Sequence, residues 1–146
     1  MPLYWVIFLI TALAMSTLGE MSRRAEDSSL RADESALAHN MLVYRNAVAI
    51  YAQQNTGATG PVVDSALILP TWFVHLPGVQ GYVSTGNSYV FFSEPPKGLV
   101  TQLVELTDSS VAVGYASAGR LISPLNGAPQ IALPPAIPEG SAVTYK

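Results

Sequence analysis

Leu37-Ala38-His39-Asn40-Met41-Leu42-Val43-Tyr44-Arg45-Asn46-Ala47-Val48-Ala49-Ile50-Tyr51 is the stretch on which the fold turns. Leu37, Met41, Tyr44, Val48 and Tyr51 recur at steps of four, three, four and three, which sets them on one stripe of an α-helix. Leu42, Val43, Ala47 and Ile50 widen that stripe. A face this broad calls for burial against a domain, because a solvated helix needs no such width.

Toward the N-terminus the same stripe reaches Leu30, but there Arg31, Asp33, Glu34, Glu26 and Asp27 surround it. Residues 20–36 therefore read as a polar helical stalk. The apolar seam is compatible with pairing of two copies as a homo-oligomer, but it is short and Glu34 interrupts it, so packing on the chain's own sheet is the expectation. Before the stalk, Met1 to Gly19 carries no charged side chain. As a helix this run would span about 28 Å, close to the roughly 30 Å of a bilayer's hydrocarbon core. Tyr4 and Trp5 suit a headgroup level near one end, and Glu20, Arg23 and Arg24 restore charge at the other. The rival reading is a cleaved signal peptide ending in Ala12-Leu13-Ala14, yet no basic region precedes the apolar run. A prepilin leader also fits poorly, because Gly19-Glu20 follows the apolar run instead of preceding it. The organisation expected is a transmembrane anchor at 1–19, a stalk at 20–36 and a domain at 37–146.

Beyond Tyr51 the pattern changes period. Asn55-Thr56-Gly57-Ala58-Thr59-Gly60-Pro61 ends the helix, with glycine available for a left-handed cap and proline beyond it. Gly81-Tyr82-Val83-Ser84-Thr85 and Ser88-Tyr89-Val90-Phe91-Phe92 flank Gly86-Asn87, where glycine in the first central position predicts a type II′ hairpin. After Pro95 and Pro96, the spacing of Leu99, Val100, Leu103, Val104 and Leu106 predicts a short amphipathic helix. Val111 to Tyr115 and Arg120 to Ser123 predict a second hairpin around Ser117-Ala118-Gly119. Pro124, Pro129, Pro134, Pro135 and Pro138 restrict the next segment to extended loops and edges, and Ser141 to Tyr145 offers a last strand. The fold class is α+β: an N-terminal transmembrane helix and long amphipathic helix, then a small antiparallel sheet with one short helix. Strand order is not readable at this level.

Composition narrows the function. The chain has 146 residues and a net charge of −3, and residues 46–146 carry only eight charged side chains. No basic stripe with interleaved aromatics exists, which argues against nucleic-acid binding. With no cysteine, disulfides, thiolate chemistry and cysteine zinc sites are excluded. His39 and His75 lie far apart with no carboxylate at ligand spacing, so a metal site is not expected. Gly57-Ala58-Thr59-Gly60-Pro61 lacks the Lys-Ser/Thr of a phosphate loop, and a helix precedes it where a strand should. No Gly-x-Ser-x-Gly elbow is present. Glu105 and Asp108 are near neighbours in sequence, and a solvated helix end accounts for them better than acid–base catalysis. Neither cofactor nor small-molecule substrate is expected.

The remaining candidates are contact residues. Leu69-Pro70-Thr71-Trp72-Phe73 places two large rings after a proline, and the small size of the domain favours burying both in the core over presenting them to a partner. Arg45, on the apolar part of the helix, offers a planar fork to a carboxylate or to loop carbonyls, a structural role more than recognition of an external group. Leu37, Met41, Tyr44, Arg45, Val48, Tyr51, Trp72, Phe73 and Tyr82 are thus the candidates for packing or partner contact.

Several strings in order resemble one family: Tyr44-Arg45-Asn46-Ala47-Val48 with Tyr51, Leu69-Pro70-Thr71-Trp72-Phe73, Tyr89-Val90, Leu133-Pro134, and Ile137-Pro138-Glu139-Gly140-Ser141-Ala142-Val143. Together they look like the PilM family of thin type IV pilus assembly proteins, found with conjugative plasmids and related elements. The resemblance covers nearly the whole chain. It implies a small, non-enzymatic bacterial inner-membrane protein of the pilus basal apparatus, with a periplasmic domain and other pilus proteins or pilins as partners. An actin-like ATPase bears the same name, but this chain is too short for it and has no phosphate loops. Arg23 and Arg24 work against the implied orientation, since positive charge beside a span tends to stay cytoplasmic. A minor-pilin-like subunit of the filament and an anchored periplasmic hydrolase acting through His39, His75, Glu105 or Asp108 are the alternative readings.

Overall fold

The structure, a computed structural model, describes residues 2–125 and 128–146, with side chains at 7, 8, 19–125 and 128–146. A single helix, α1, runs from Pro2 to Gln54. The chain divides into two units, Met1–Asp33 and Glu34–Lys146. In the first, the side chains from Gly19 to Asp33 are exposed, and Glu20 and Arg24 form a surface ion pair at 3.9 Å. Pairs of this kind add little stability. The expected span rests mainly on side chains at 2–6 and 9–18, which lie outside the described residues. Among the described residues no helix is long and apolar enough to cross a membrane.

The second unit is α+β. From Glu34 onward α1 buries Leu37, Ala38, Met41, Tyr44, Ala47, Val48, Ala49 and Ala52, while Tyr51 is half-buried. Ile50, expected on the same face, is exposed, because the buried arc turns through Ala49 and Ala52 and leaves position 50 outside it. The helix ends without the expected left-handed glycine. Asn55 closes it, its backbone N–H and its side-chain amide both donating to Tyr51 O at 2.9 and 3.0 Å.

The sheet is larger than the sequence indicated. It has seven strands, β1 Thr59–Val62, β2 Val79–Ser84, β3 Asn87–Phe92, β4 Val113–Ser117, β5 Arg120–Ile122, β6 Ile131–Ala132 and β7 Ala142–Tyr145, in the order β1-β2-β3-β7-β4-β5-β6. Every pairing is antiparallel. Two of these strands come from stretches read as loop: β1 from the glycine-rich exit of α1, and β6 from the proline-rich segment. Both are edge strands, the position that tolerates proline. The first hairpin turns one residue earlier than the type II′ geometry expected at Gly86-Asn87, and the second turns within the expected Ser117-Ala118-Gly119. Ser84 pairs with Asn87 across Thr85 and Gly86, and Ser117 pairs with Arg120 across Ala118 and Gly119. All four turn residues have positive φ (47°, 86°, 51° and 70°), the signature of the I′ turn whose twist matches that of paired strands. Asn87 therefore opens β3 and lies outside the turn.

The sheet is covered on both faces. Toward α1, Val79, Val83, Val90, Val113 and Ala142 pack with Met41, Tyr44 and Val48 and with Leu99, Val100 and Leu103 of α2, Leu99–Leu106. On the other face Tyr89, Phe91, Ala116, Leu121 and Val143 are covered by Ile137, with Ile131 and Leu133 beside it. The proline-rich segment thus serves as a lid of extended chain. Glu139 ties it down by accepting the Ala118 N–H at 2.9 and 3.1 Å.

Two glycines mark close approaches of different stiffness. A Cβ at Gly114 would run into the backbone of Ile122 and Ser123, whereas one at Gly98 would meet only the mobile end of Glu34. Gly114→Ala is therefore expected to cost about 1–3 kcal/mol through overpacking. Gly98→Ala should cost less than about 1 kcal/mol, because the flexible Glu34 side chain can move aside. Equilibrium denaturation of the two variants checks the contrast.

Candidate functional site

The site grows from Tyr44. Its ring lies over β2 where Gly81 has no side chain, and a Cβ there would stand 3.0 Å from both Tyr44 Cε1 and Val48 Cγ2. Held this close to the sheet and almost wholly buried, the phenol points at the loop after β1. Its hydroxyl donates to Asp64 Oδ1 at 2.9 Å and lies 3.4 Å from the carbonyl of Val62. Burial, then the hydrogen bond to Asp64 and that residue's charge, raise the Tyr44 pKa far above its ordinary value. Tyr44 therefore stays a donor at any physiological pH.

Asp64 Oδ2 lies 2.6 Å from His75 Nδ1, and His75 Nε2 lies 2.8 Å from the carbonyl of Val79. A carbonyl only accepts, so Nε2 faces it as the donor, and Nδ1 faces the carboxylate across the short contact. The imidazole also stacks on Tyr44 with ring centroids 4.5 Å apart. This Asp–His pair is arranged like the orienting half of a catalytic triad, but its outer nitrogen is already bonded to main chain. The described geometry gives His75 the work of a clamp. β1 stops pairing at Val62, opposite Gly81, and His75 takes over the Val79 carbonyl at the sheet edge just beyond. Asp64 and His75 meet because the loop folds back over the ten residues between them. Among the described residues no group of three or more His, Cys, Asp or Glu is placed to hold a metal ion.

A pocket of about 370 Å³ opens beside this cluster, lined by Tyr44, Asp64 and His75 and by Gln80, Tyr82 and Phe91 of the sheet. A second, of about 360 Å³, lies between α1 residues Ala36, His39, Asn40 and Val43 and the rings of Trp72 and Phe73. Asn40 pins the loop that forms its wall, donating to Val74 O at 2.7 Å and accepting from Leu76 N–H at 3.2 Å.

The expected contact residues separate accordingly. Leu37, Met41, Tyr44 and Val48 are core, and Tyr51 and Phe73 are half-buried against it. Tyr82 packs on the opposite cluster. Arg45 reaches a main-chain carbonyl, its Nη2 donating to Tyr145 O at 2.8 Å. Burial lowers its pKa, and its Nε is buried without a hydrogen-bond partner. Trp72 is a correction: it is 70% exposed, because the Pro70–Phe73 turn sends Phe73 inward and leaves its neighbour outside, edge-on to Phe73 at 6.5 Å. His39, Glu105 and Asp108 are exposed and stand apart from the Asp64–His75 cluster. Sequence reasoning missed Asp64 and Asn40. Asp64 did carry a signal, as the lone acid in the long uncharged region between Arg45 and Glu94.

Comparison with known proteins places this geometry. The PilM family model matches residues 6–145. The crystal structure of a protein described as PilM from Escherichia coli B7A aligns with a TM-score of 0.60 at 23% identity, covering 80% of this chain and 94% of that one. A structure described as a pilM protein from Pseudomonas aeruginosa 2192 is 37% identical with a TM-score of 0.47, covering 77% of this chain and 94% of that one. No curated protein matches.

The clamp predicts coupling between its members. Tyr44→Phe should destabilise by about 1–2 kcal/mol, since a hydrogen bond to a charged acceptor is lost. His75→Ala should cost a similar amount, and the double variant should cost less than the sum by about 0.5 kcal/mol or more. A double-mutant cycle by thermal or chemical denaturation measures this, and additive losses would show that the three residues do not act as a unit.

Proposed function

The chain belongs to the PilM family of thin type IV pilus assembly proteins, and from that premise we propose that it is a membrane-anchored, non-enzymatic component of the pilus assembly apparatus. It would support pilin transport and pilus biogenesis, and through them conjugation, by contacts with other pilus proteins. The observation that carries this reading is the family match across residues 6–145. Three features of the chain support it. The uncharged run from Met1 to Gly19 is suited to an anchor in the inner membrane. The sheet domain has few charges, as suits apolar and main-chain contacts. Its Asp–His pair is bonded into a loop clamp, which supports a role through surface contacts.

The domain is assigned to the periplasm on the family premise, against the pull of Arg23 and Arg24. A second reading, a minor-pilin-like subunit, draws on the uninterrupted passage of α1 into a unit built on an antiparallel sheet.

Deletion of the chain is expected to abolish pili and conjugative transfer, with full restoration by the Glu105→Gln and Asp108→Asn variants. Loss of complementation by those variants would favour the hydrolase reading. A reporter fused after Lys146 should be active only in the periplasm, and activity confined to the cytoplasm would reverse the orientation. Sheared filaments should lack the chain; finding it there would favour the minor-pilin reading.

A further inference from the structure

Loops with exposed apolar side chains are normally mobile, because nothing holds them. The loop from Val63 to Leu76 is different. Val63, Ile68, Trp72 and Val74 are 63%, 76%, 70% and 74% exposed, yet the backbone carrying them is fixed on two sides. Asn40 bonds Val74 O and Leu76 N–H from α1, and His75 is held by Asp64 and by Val79 O. Phe73, one residue past Trp72, is anchored against Tyr44 at 6.3 Å. The fold therefore holds with four side-chain hydrogen bonds and a ring contact a segment that packs Leu67, Leu69, Phe73 and Leu76 on the core and turns Val63, Ile68, Trp72 and Val74 outward. Such preorganisation lowers the ordering cost of binding, and a rigidly presented tryptophan is the side chain most enriched at interface hot spots.

The charge pattern selects the occupant. Residues 65–93 contain no Asp, Glu, Lys or Arg. A charged partner surface would lose its hydration here and meet only Asp64, whose carboxylate is already bonded to Tyr44 and His75. The surface is also concave beside Trp72, where the pocket against Ala36, His39, Asn40 and Val43 has room for a large side chain. A bilayer surface has no projection to fill such a pocket.

We propose that the Trp72 loop and the adjoining pocket on α1 form the docking surface for an uncharged, apolar segment of another protein, which seats a large side chain beside Trp72. The inference rests on the assembly reading above and specifies which surface performs it.

The test uses the full chain in pilus-bearing cells. Benzoylphenylalanine is placed in turn at Trp72, at Ile68 and, as a control in the exposed turn before β4, at Val111. Crosslinks from positions 68 and 72 should converge on one segment of one protein, mapped by peptide mass spectrometry and free of acidic and basic residues, with none from 111. In the chain carrying the probe at 68, Trp72→Glu should reduce that adduct about 30-fold, the factor corresponding to loss of one hot spot, with an unchanged melting midpoint. Asn40→Ala, which leaves Trp72 in place but frees its loop, should also reduce it. Adducts only with a second copy of the chain, only with lipid, with a charged segment, or with nothing would overturn the proposal. The assembly reading fails separately, if deleting the chain leaves pili intact.

Discussion

The distance between α1 and the sheet at Gly81 governs the rest of the structure. With no side chain at that position, the Tyr44 ring comes down to β2, and its hydroxyl reaches the loop beyond β1. From there the order passes outward one contact at a time: phenol to carboxylate, carboxylate to imidazole, imidazole to the free carbonyl of the neighbouring strand. A larger residue at Gly81 would lift the helix, and every later contact depends on that spacing. Steric permission at one backbone position thus becomes the shape of a surface loop on the far side of the helix contact.

The same chain shows how a small domain covers a sheet on two faces with limited helix. Residues of α1 and α2 fill one side. The other is closed by extended chain, where prolines hold Ile137 over Tyr89, Phe91 and Val143 with little helical or strand hydrogen bonding. Proline reduces the entropy that such a segment loses on folding, which makes a structure of this kind stable without disulfides. Arg45 and Lys146 add cross-chain ties from helix to last strand, the first to Tyr145 O and the second, at 3.3 Å, to Asn46 Oδ1.

Local periodicity was legible from sequence and long-range geometry was not. The core positions Leu37, Met41, Tyr44 and Val48 follow from helical spacing alone, and α2 from the apolar repeat after two prolines. Both hairpins were visible, but the first turn was misplaced by a residue, because Thr85 adopts positive φ without being the residue type that advertises it. Strands β1 and β6 were invisible, being short, proline-bearing or proline-flanked, and defined by their partners. Trp72 was expected in the core on the strength of its size, yet which of two adjacent rings turns inward is decided by a turn and by Asn40, neither of which leaves a periodic mark. The Asp64–His75 pair joins two residues whose meeting depends on the path of the loop between them.

The central place of β7 has a consequence for how the domain can be made. Synthesis delivers β1-β2-β3 and β4-β5-β6 first, each a run of strands joined in sequence and able to pair locally. Neither half can meet the other, because β3 and β4 do not pair and the strand between them is Ala142–Tyr145. Until that segment arrives, the inner edges of both halves present unpaired backbone, the condition in which nascent sheets recruit the wrong partner. The sheet can thus be closed only once Ala142–Tyr145 is available, and a chain passed unfolded through a membrane pore would have its sheet completed only on the side where β7 emerges.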